Sequence, residues 1–269
     1  MAHTLYDNFF LSNEVEDQFN SHLDLQQFCT IDNSLEGVAG MKRVINTYRA
    51  TDGTTEKLAV GEGNSKAIEV SFTGKEYEIA LAQNRFKYND EQAMQDPMLL
   101  PVGMKHAGTD MYNTIQGDIY SEFNKTGLEV PCSNFDFDAF VDAVAALNLE
   151  ADEDATIFAF VCPKDKAKVR KALKDDLKYI EAYAKTGYIG TVAGVNLYTK
   201  KDAVEGPIIV ATKEAVTIFT KAGVEVEQVD KNNRSETAAN VRENNVFTRK
   251  YYIVALTNES KAIRLTIGA

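Results

Sequence analysis

The stretch LPVGMKHAGTDMYNTIQGDIYSEF, residues 100–123, carries the longest periodic pattern in the chain. Its apolar residues recur at spacings of three and four, which predicts one face of an α-helix. Pro101 suits the first turn of this helix, and Thr126-Gly127 ends it. At 1.5 Å per residue the helix is about 36 Å long, enough to span a small domain. We interpret it as the spine of the fold; its apolar face consists of Leu100, Met104, Ala107, Met111, Ile115, Ile119 and Phe123.

The segment before the spine predicts strands separated by a long polar loop. Residues 44–50 form one candidate strand, and apolar and polar residues alternate over 68–72 and 77–81. Residues 51–66 between them are mostly polar and contain several glycines, and only Leu58 to Val60 interrupt this polarity. This loop is longer than a compact hairpin turn requires, and long loops usually have a function or are disordered.

Residues 1–36 predict an extended arm that carries one helix. Asn13 can cap the helix with Glu16 three residues later. Val15, Phe19 and Leu23 recur at every fourth residue and form a narrow apolar stripe. The stripe is too narrow to form a core, so we expect it to pack against a neighbour.

The remaining sequence predicts an α/β unit followed by a β-rich end, which makes the chain α+β. Asp136 caps a helix, Pro163 opens a second helix to about residue 173, and a third short helix is expected over 177–183. The order of the later segments suggests that the C-terminus returns to the sheet near the spine. The expected strands lie at 156–161, 191–198, 207–210, 215–219, 246–256 and 262–267.

The composition argues against several classes of protein. The formal net charge is −11, and residues 1–41 contain seven acidic residues and no Lys or Arg. A basic DNA-binding arm, a transit peptide and a secretory signal all need early positive charge. No stretch approaches the roughly 20 apolar residues of a membrane-spanning helix. Three widely spaced cysteines, Cys29, Cys132 and Cys162, favour buried thiols in a reducing compartment. We therefore expect a soluble protein that starts inside a cell.

No pattern in the sequence predicts a catalytic, cofactor or metal site. His3, His22 and His106 lack metal-ligand spacing, and the acidic run at 150–154 lacks the glycine of a calcium loop. A Cys–His enzyme stays an alternative, because catalytic partners need only meet in space. One basic cluster follows Pro163, and we interpret it as a solvated helix face; it comprises Lys164, Lys166, Lys168, Arg170, Lys171 and Lys174.

Three stretches resemble a known family when their order and spacing are taken together. They are GYIGTVAGVNLYTK at 187–200, GPIIVATKEAVTI at 206–218 and RKYYIVALTNESKAI at 249–263. In this order, and behind the spine helix, they resemble the Hong Kong-type capsid fold of tailed-bacteriophage major capsid proteins, which encapsulin compartments share. The likeness covers most of the chain from residue 44 onward.

The resemblance implies a division into an N-arm (1–36), a peripheral P-domain (37–127 and 221–269) and an axial A-domain (128–220). It also implies an extended E-loop at about 48–76. The E-loop and the N-arm would contact neighbouring subunits. The expected contact residues are Thr51, Asp52, Gly53, Lys57, Gly61, Gly63 and Lys66 in the E-loop, and Val15, Phe19 and Leu23 in the arm.

As a function, the resemblance implies a major capsid protein, not an enzyme, without cofactors. Its copies would form pentamers and hexamers of an icosahedral shell, assembled in the bacterial cytoplasm and carried in the virion. The shell would enclose double-stranded DNA without reading its sequence. A separate scaffolding protein, a portal protein and a decoration protein are the expected further partners, and no membrane is involved. An encapsulin-like compartment and a tail-tube or adaptor protein stay open as alternatives.

Overall fold

The computed structural model describes residues 24–50, 55–149, 155–173, 190–200 and 203–268. The helices in these ranges are α1 (Asp90–Gln95), α2 (Leu99–Phe123), α3 (Phe137–Ala146), α4 (Pro163–Ala172) and α5 (Glu236–Asn240). The strands are β1 (Thr30–Asp32), β2 (Lys42–Ala50), β3 (Val70–Glu78), β4 (Ala80–Asn89), β5 (Glu129–Cys132), β6 (Phe158–Val161), β7 (Thr191–Val192), β8 (Val195–Thr199), β9 (Ile208–Ala211), β10 (Val216–Val229), β11 (Glu243–Leu256) and β12 (Ala262–Ile267).

Helix α2 is the predicted spine, and the structure confirms its length and its buried face. The apolar residues of the predicted stripe are buried from Met104 to Phe123. They pack against a four-stranded sheet of order β1-β10-β11-β4, in which β1 is parallel to β10 and the other pairs are antiparallel. Two polar contacts fix the helix on the sheet: Tyr252 Oη donates to Asp118 Oδ2 at 2.5 Å, and Asn84 Nδ2 donates to the Ala107 carbonyl oxygen at 2.7 Å.

A six-stranded mixed sheet of order β5-β12-β9-β6-β8-β7 forms the second half of the core. Helices α3 and α4 contribute buried residues to it, including Phe140 and Val169, which are inaccessible to solvent. The two edge strands are short: β7 has two residues, and β5 has four and contains Pro131. Because proline lacks a backbone N–H, it limits strand pairing at this edge.

The predicted helix starts at residues 136 and 163 are confirmed. Asp136 is the N-cap of α3, and its Oδ1 accepts from the Ala139 N–H at 3.0 Å. Pro163 occupies the first turn of α4, where its missing N–H has no helical partner to lose. The helix expected over 177–183 lies outside the described residues.

Several strand predictions were wrong in detail. The strand expected at 191–198 is a hairpin of β7 and β8, because Ala193 (φ 49°) and Gly194 (φ 82°) form a tight turn with positive φ. The strand expected at 215–219 continues to Val229 as β10, whose irregular register at Thr220–Glu225 keeps it paired with β11.

The placement of the chain's last segments also differs from the expectation. β10 pairs in the spine sheet from Val216 onward, before the expected boundary at residue 220. β11 lies in the spine sheet as expected, whereas β12 leaves it and pairs with β5 and β9 in the six-stranded sheet. The reason is that Ala262, Ile263 and Leu265 are fully buried there, between the two halves of the core.

Candidate assembly interface

Strands β2 and β3 form a two-stranded antiparallel sheet of their own. They pair over nine residues each, from Lys42 opposite Glu78 to Ala50 opposite Val70. An isolated two-stranded sheet is at best marginally stable in water. This hairpin therefore depends on contacts beyond its own ladder.

The base of the hairpin is anchored on the outer face of the spine sheet. Ile45 and Tyr77 pack on a buried cluster that includes Phe219 and Ile253. Tyr77 Oη donates to the Leu256 carbonyl oxygen at 3.2 Å. These contacts lie near the ends of β2 and β3 that adjoin the body, so the anchor holds the base of the hairpin and leaves its distal part extended.

The two faces of the hairpin differ in character because directly opposed residues lie on the same side of an antiparallel pair. The face that holds Ile45 and Tyr77 meets the body at its base. The opposite face carries Val44, Val70 and Phe72, which are 57%, 61% and 68% exposed. Exposed apolar side chains that share one face are typical of a surface that another protein covers.

Charged residues form an ion-pair group at the base of this apolar face. Lys42 Nζ lies 2.9 Å from Glu76 Oε1 and 3.0 Å from Glu78 Oε1. Hydrogen bonds to the two carboxylates raise the pKa of Lys42 to about 12. The lysine therefore stays charged at any physiological pH. Lys42, Glu76 and Glu78 make the end of this face nearest the body polar, whereas the rest of the face is mostly apolar.

In the described part of the loop between the strands, residues 55–69, a carboxylate links the two ends. Glu56 accepts from the Ser65 N–H at 2.7 Å and from Ser65 Oγ at 2.5 Å. These two hydrogen bonds lower the pKa of Glu56 from its ordinary value. Leu58, Val60 and Ile68 are exposed in this loop, and Val60 is fully so. The loop adds apolar groups to the surface at the distal end of the hairpin.

The predicted contact residues fall partly within the described chain. Lys57, Gly61, Gly63 and Lys66 are exposed on the loop, whereas Thr51 to Gly53 lie outside the described residues. The arm residues Val15, Phe19 and Leu23 also lie outside them. Sequence reasoning missed Val44 and Val70 as surface residues, because only the register of β2 with β3 shows which side chains share a face.

The three cysteines do not have the exposure of reactive thiols. Cys29 and Cys162 are buried and Cys132 is half-buried, and all three are free thiols. Burial raises the pKa of Cys29 to about 12 and also raises that of Cys132, so these two thiols are protonated at neutral pH. Within the described ranges, no three His, Cys, Asp or Glu side chains are grouped closely enough to hold a metal ion.

Two lysines of the basic cluster on α4 are engaged in ion pairs within the chain. Lys168 Nζ lies 2.8 Å from Oδ1 of the fully buried Asp165, and Lys164 Nζ lies 2.8 Å from Glu205 Oε2. Asp165 Oδ2 also accepts from the Gly206 N–H at 2.9 Å. The contacts with Glu205 and Gly206 hold α4 to the segment before β9, so Lys164 and Lys168 have a structural role. No helix of the described chain combines the length and apolar character needed to cross a membrane.

Comparisons with known proteins find their matches at the level of structure. No family model and no curated protein matches the sequence. The mature capsid of bacteriophage PhiM1 is similar over 99% of this chain and 89% of its own, with a TM-score of 0.68 and 10% identity. The capsid of the cyanophage P-SCSP1u matches over 90% and 86%, with a TM-score of 0.67 and 11% identity.

A virus-like particle from Pyrococcus furiosus is similar as well. It matches over 95% of this chain and 97% of its own, with a TM-score of 0.63 and 13% identity. At these identities the likeness shows the fold, and it extends over nearly the whole chain in each case. The mixed α+β architecture and the resemblance to phage capsid proteins are thereby confirmed as a matter of fold. The chain has the fold of a capsid shell protein.

Proposed function

We propose that the chain is the major capsid protein of a tailed bacteriophage. Its copies assemble into pentamers and hexamers around the A-domain, and these capsomers close an icosahedral shell around double-stranded DNA. Assembly takes place in the bacterial cytoplasm with a separate scaffolding protein, and the finished shell carries a portal protein and a decoration protein. The chain performs no catalysis in this role.

The observation that carries the proposal is the exposed apolar face of the β2–β3 hairpin. A long two-stranded element held at its base leaves apolar area that is costly to expose to water. A neighbouring copy can cover this face, and closed symmetry repeats that contact around each capsomer. In this proposal the E-loop, about residues 48–76, lies over the adjacent subunit and the N-arm reaches another.

The acidic character of the chain is compatible with a genome container. A shell needs to enclose DNA and does not need affinity for it. A formal charge of −11 per subunit favours a wall that the DNA does not adhere to. The fold similarity to phage capsids supports the same function without extending it to any particular host or shell size.

The first test replaces a single side chain on the exposed face. Val70→Lys places a charge in the proposed contact, while Val70→Ile keeps the position apolar and β-branched and serves as the matched control. We expect both variants to keep the circular-dichroism spectrum of the parent subunit. We expect closed shells in negative-stain micrographs from Val70→Ile and a loss of shells from Val70→Lys.

The second test removes the loop itself. Deletion of residues 51–66 should leave a folded subunit, because the described loop residues contribute no buried side chain to the core clusters. Shell formation should be impaired. Normal shells from this deletion would rule out the loop as an assembly contact.

A shell compartment without a genome is the second candidate, favoured by the similarity to the Pyrococcus furiosus virus-like particle. The two candidates differ in what the particle contains. Shells purified from the native source should show the ultraviolet absorbance ratio of packaged DNA if the phage proposal is right. Shells that contain protein cargo and lack DNA would favour the second candidate.

A further inference from the structure

Helix α3 carries an apolar stripe beside an acidic stripe on its outer face. Phe137 and Val141, one helical turn apart, are 48% and 42% exposed. Asp138 and Asp142 follow them in the sequence and are exposed as well. A surface helix normally turns its apolar side chains towards the core, so exposed ones on the outer face are typical of a contact surface.

Helix α4 has a basic outer face. Its exposed residues after the first are Lys164, Ala167, Lys168, Lys171 and Ala172. The helix contains five basic residues and one acidic residue, Asp165, and Glu205 adds a second carboxylate beside it. In a chain with a formal net charge of −11, this face is therefore a local basic surface.

The lysines of α4 differ in what they contact. Lys164 and Lys168 pair with Glu205, and Lys168 also pairs with the buried Asp165. Lys166 is half-buried and Lys171 is exposed, and neither makes an ion pair with any described residue. These two lysines are therefore available to carboxylates of another chain.

The two helices lie on the same face of the six-stranded sheet but towards different ends. Both contribute side chains to one buried cluster. Helix α3 packs on β5 and β12, the first two strands in the order of the sheet. Helix α4 follows β6 and precedes β8, the parallel neighbour of β6, so this crossover places it over the strands towards the other end.

Charge decides which of these faces can meet in two copies. Contact of α3 with α3 would oppose carboxylates, and contact of α4 with α4 would oppose lysines. Contact of α3 in one copy with α4 in another brings opposite charges together. Because the two faces are different patches of the subunit, such a contact is head-to-tail, and a head-to-tail contact that closes forms a ring.

We propose that the outer face of α3 in one subunit packs against the outer face of α4 in the next subunit of a capsomer. Ala167 and the aliphatic stems of the lysines cover Phe137 and Val141. Exposed ion pairs contribute little free energy, so burial of the apolar stripe provides the affinity and the charges select the partner face. The inference rests on the proposed function, for which it names a contact within the capsomer.

Cross-linking through introduced thiols tests the contact. Ala145→Cys and Ala167→Cys each place a thiol at an exposed position in the middle of one outer face. The chain that carries both is treated with a short bismaleimide linker at the concentrations used for shell assembly. We expect a ladder of covalent oligomers on a denaturing gel. Each single variant, and the parent chain with its three native cysteines, should stay monomeric on the same gel.

Charge exchange within the double-cysteine chain identifies the partner face. Asp138→Lys with Asp142→Lys should abolish the ladder, and so should Lys166→Glu with Lys171→Glu. All four substitutions in one chain exchange the two charges and should restore the ladder, whereas folding defects would accumulate. Circular dichroism checks each variant. Asp142→Lys and Lys171→Glu, singly and combined, repeat the exchange with one charge on each face should a double reversal fail to fold.

Three outcomes would overturn the proposal. They are a covalent dimer from Ala145→Cys alone, a ladder that survives both charge reversals, and failure of the folded exchange variants to restore it. Micrographs of the parent chain report shell formation separately. Shells without a ladder would refute this contact and leave the proposed function in place, whereas a parent chain that forms no shells would refute the proposed function.

Discussion

Gly103 and Gly117 lie on the same spine helix but have different surroundings. The site of a Cβ at Gly103 is occupied by the Phe86 ring, whereas a Cβ at Gly117 would meet no atom within 4 Å. Glycine costs about 1 kcal/mol relative to alanine within a helix. At position 103 this cost is offset by close packing, and at position 117 the described structure shows no packing that compensates for it.

We expect opposite results from alanine at these two positions. Gly117→Ala should raise the free energy of unfolding by up to about 1 kcal/mol. Gly103→Ala should lower it by about 1 kcal/mol or more, because overpacking outweighs the gain in helix propensity. Urea denaturation of the unassembled subunit measures both. Stabilisation by Gly103→Ala would show that Phe86 can move aside without cost.

Asp165 is a buried carboxylate whose partners are known. It accepts from the Gly206 N–H and from Lys168, and it is fully buried. Asp165→Ala leaves the Gly206 N–H without its acceptor, and we expect it to destabilise the subunit by about 2 kcal/mol or more. Glu205→Ala removes a carboxylate from the same ion-pair group at an exposed position, and its effect on the urea midpoint should be clearly smaller. Equal effects would contradict this assignment.

Single residues with local signals were the best predicted from the sequence. Asp136 and Pro163 mark helix starts by chemistry that depends only on neighbouring residues, and both predictions are confirmed. The buried role of Asp165 was not predicted from the sequence. Its partner at Gly206 is 41 residues away, and no local pattern shows such a contact.

At the scale of elements, the loop between β2 and β3 carries a pH-dependent contact. The pKa of Glu56 is lowered because its ionised form accepts two hydrogen bonds from Ser65. A carboxyl group with a lowered pKa contributes its stabilisation above its ordinary value of 4.5, and this contribution is lost as the pH falls through the lowered pKa. The loop conformation should therefore persist at neutral pH and loosen in acid.

Hydrogen exchange tests this contact one amide at a time. The Ser65 amide should be protected at pH 7, after correction for intrinsic exchange, and should lose protection in acid. Glu56→Ala, which leaves no acceptor for Ser65, should remove the protection already at pH 7. Glu62→Ala is the matched control, because Glu62 Oε2 accepts from the Ala59 N–H and its loss should affect that amide alone. Protection of Ser65 in Glu56→Ala would refute the role of this carboxylate.

Elements whose apolar residues recur at a regular spacing were predicted well. The turns that connect strands were not. The spine helix α2 follows from seven apolar residues at regular spacing; it begins one residue before the predicted stripe and ends at Phe123, three residues before Thr126. The hairpin of β7 and β8 was predicted as one strand, because the turn rests on Ala193 at positive φ, which sequence alone does not indicate. The apolar start of the spine was missed because Met98 and Val102 belong to a different face from the predicted stripe.

For the molecule as a whole, charge should oppose association. Each subunit carries a formal net charge of −11, and copies in a shell are close neighbours. Salt shortens the screening length from about 10 Å at 0.1 M to about 3 Å at 1 M. We expect purified subunits to form shells faster and at lower protein concentration as NaCl increases over this range, as followed by light scattering. Shell formation that weakens with salt would instead point to attractive charge pairs at the contacts.

The order of segments along the chain indicated the fold more reliably than any single motif. The arm, the long hairpin, the spine helix and the inserted α/β unit suggested a capsid fold, and the structural neighbours confirm it at 10–13% identity. The sheet to which each late strand belongs could not be predicted. The position of β12 depends on burial against both halves of the core, which is a property of the assembled tertiary structure.

Pro131 in the edge strand β5 affects whether the sheets of different copies can pair edge to edge. A protein made in many copies at high local concentration risks endless strand-to-strand stacking, which leads to fibrous aggregates. The six-stranded sheet exposes one edge of four residues that contains a proline and another of only two residues. Among the described strands, both edges are therefore poor templates for a continuing ladder, which disfavours growth through this sheet.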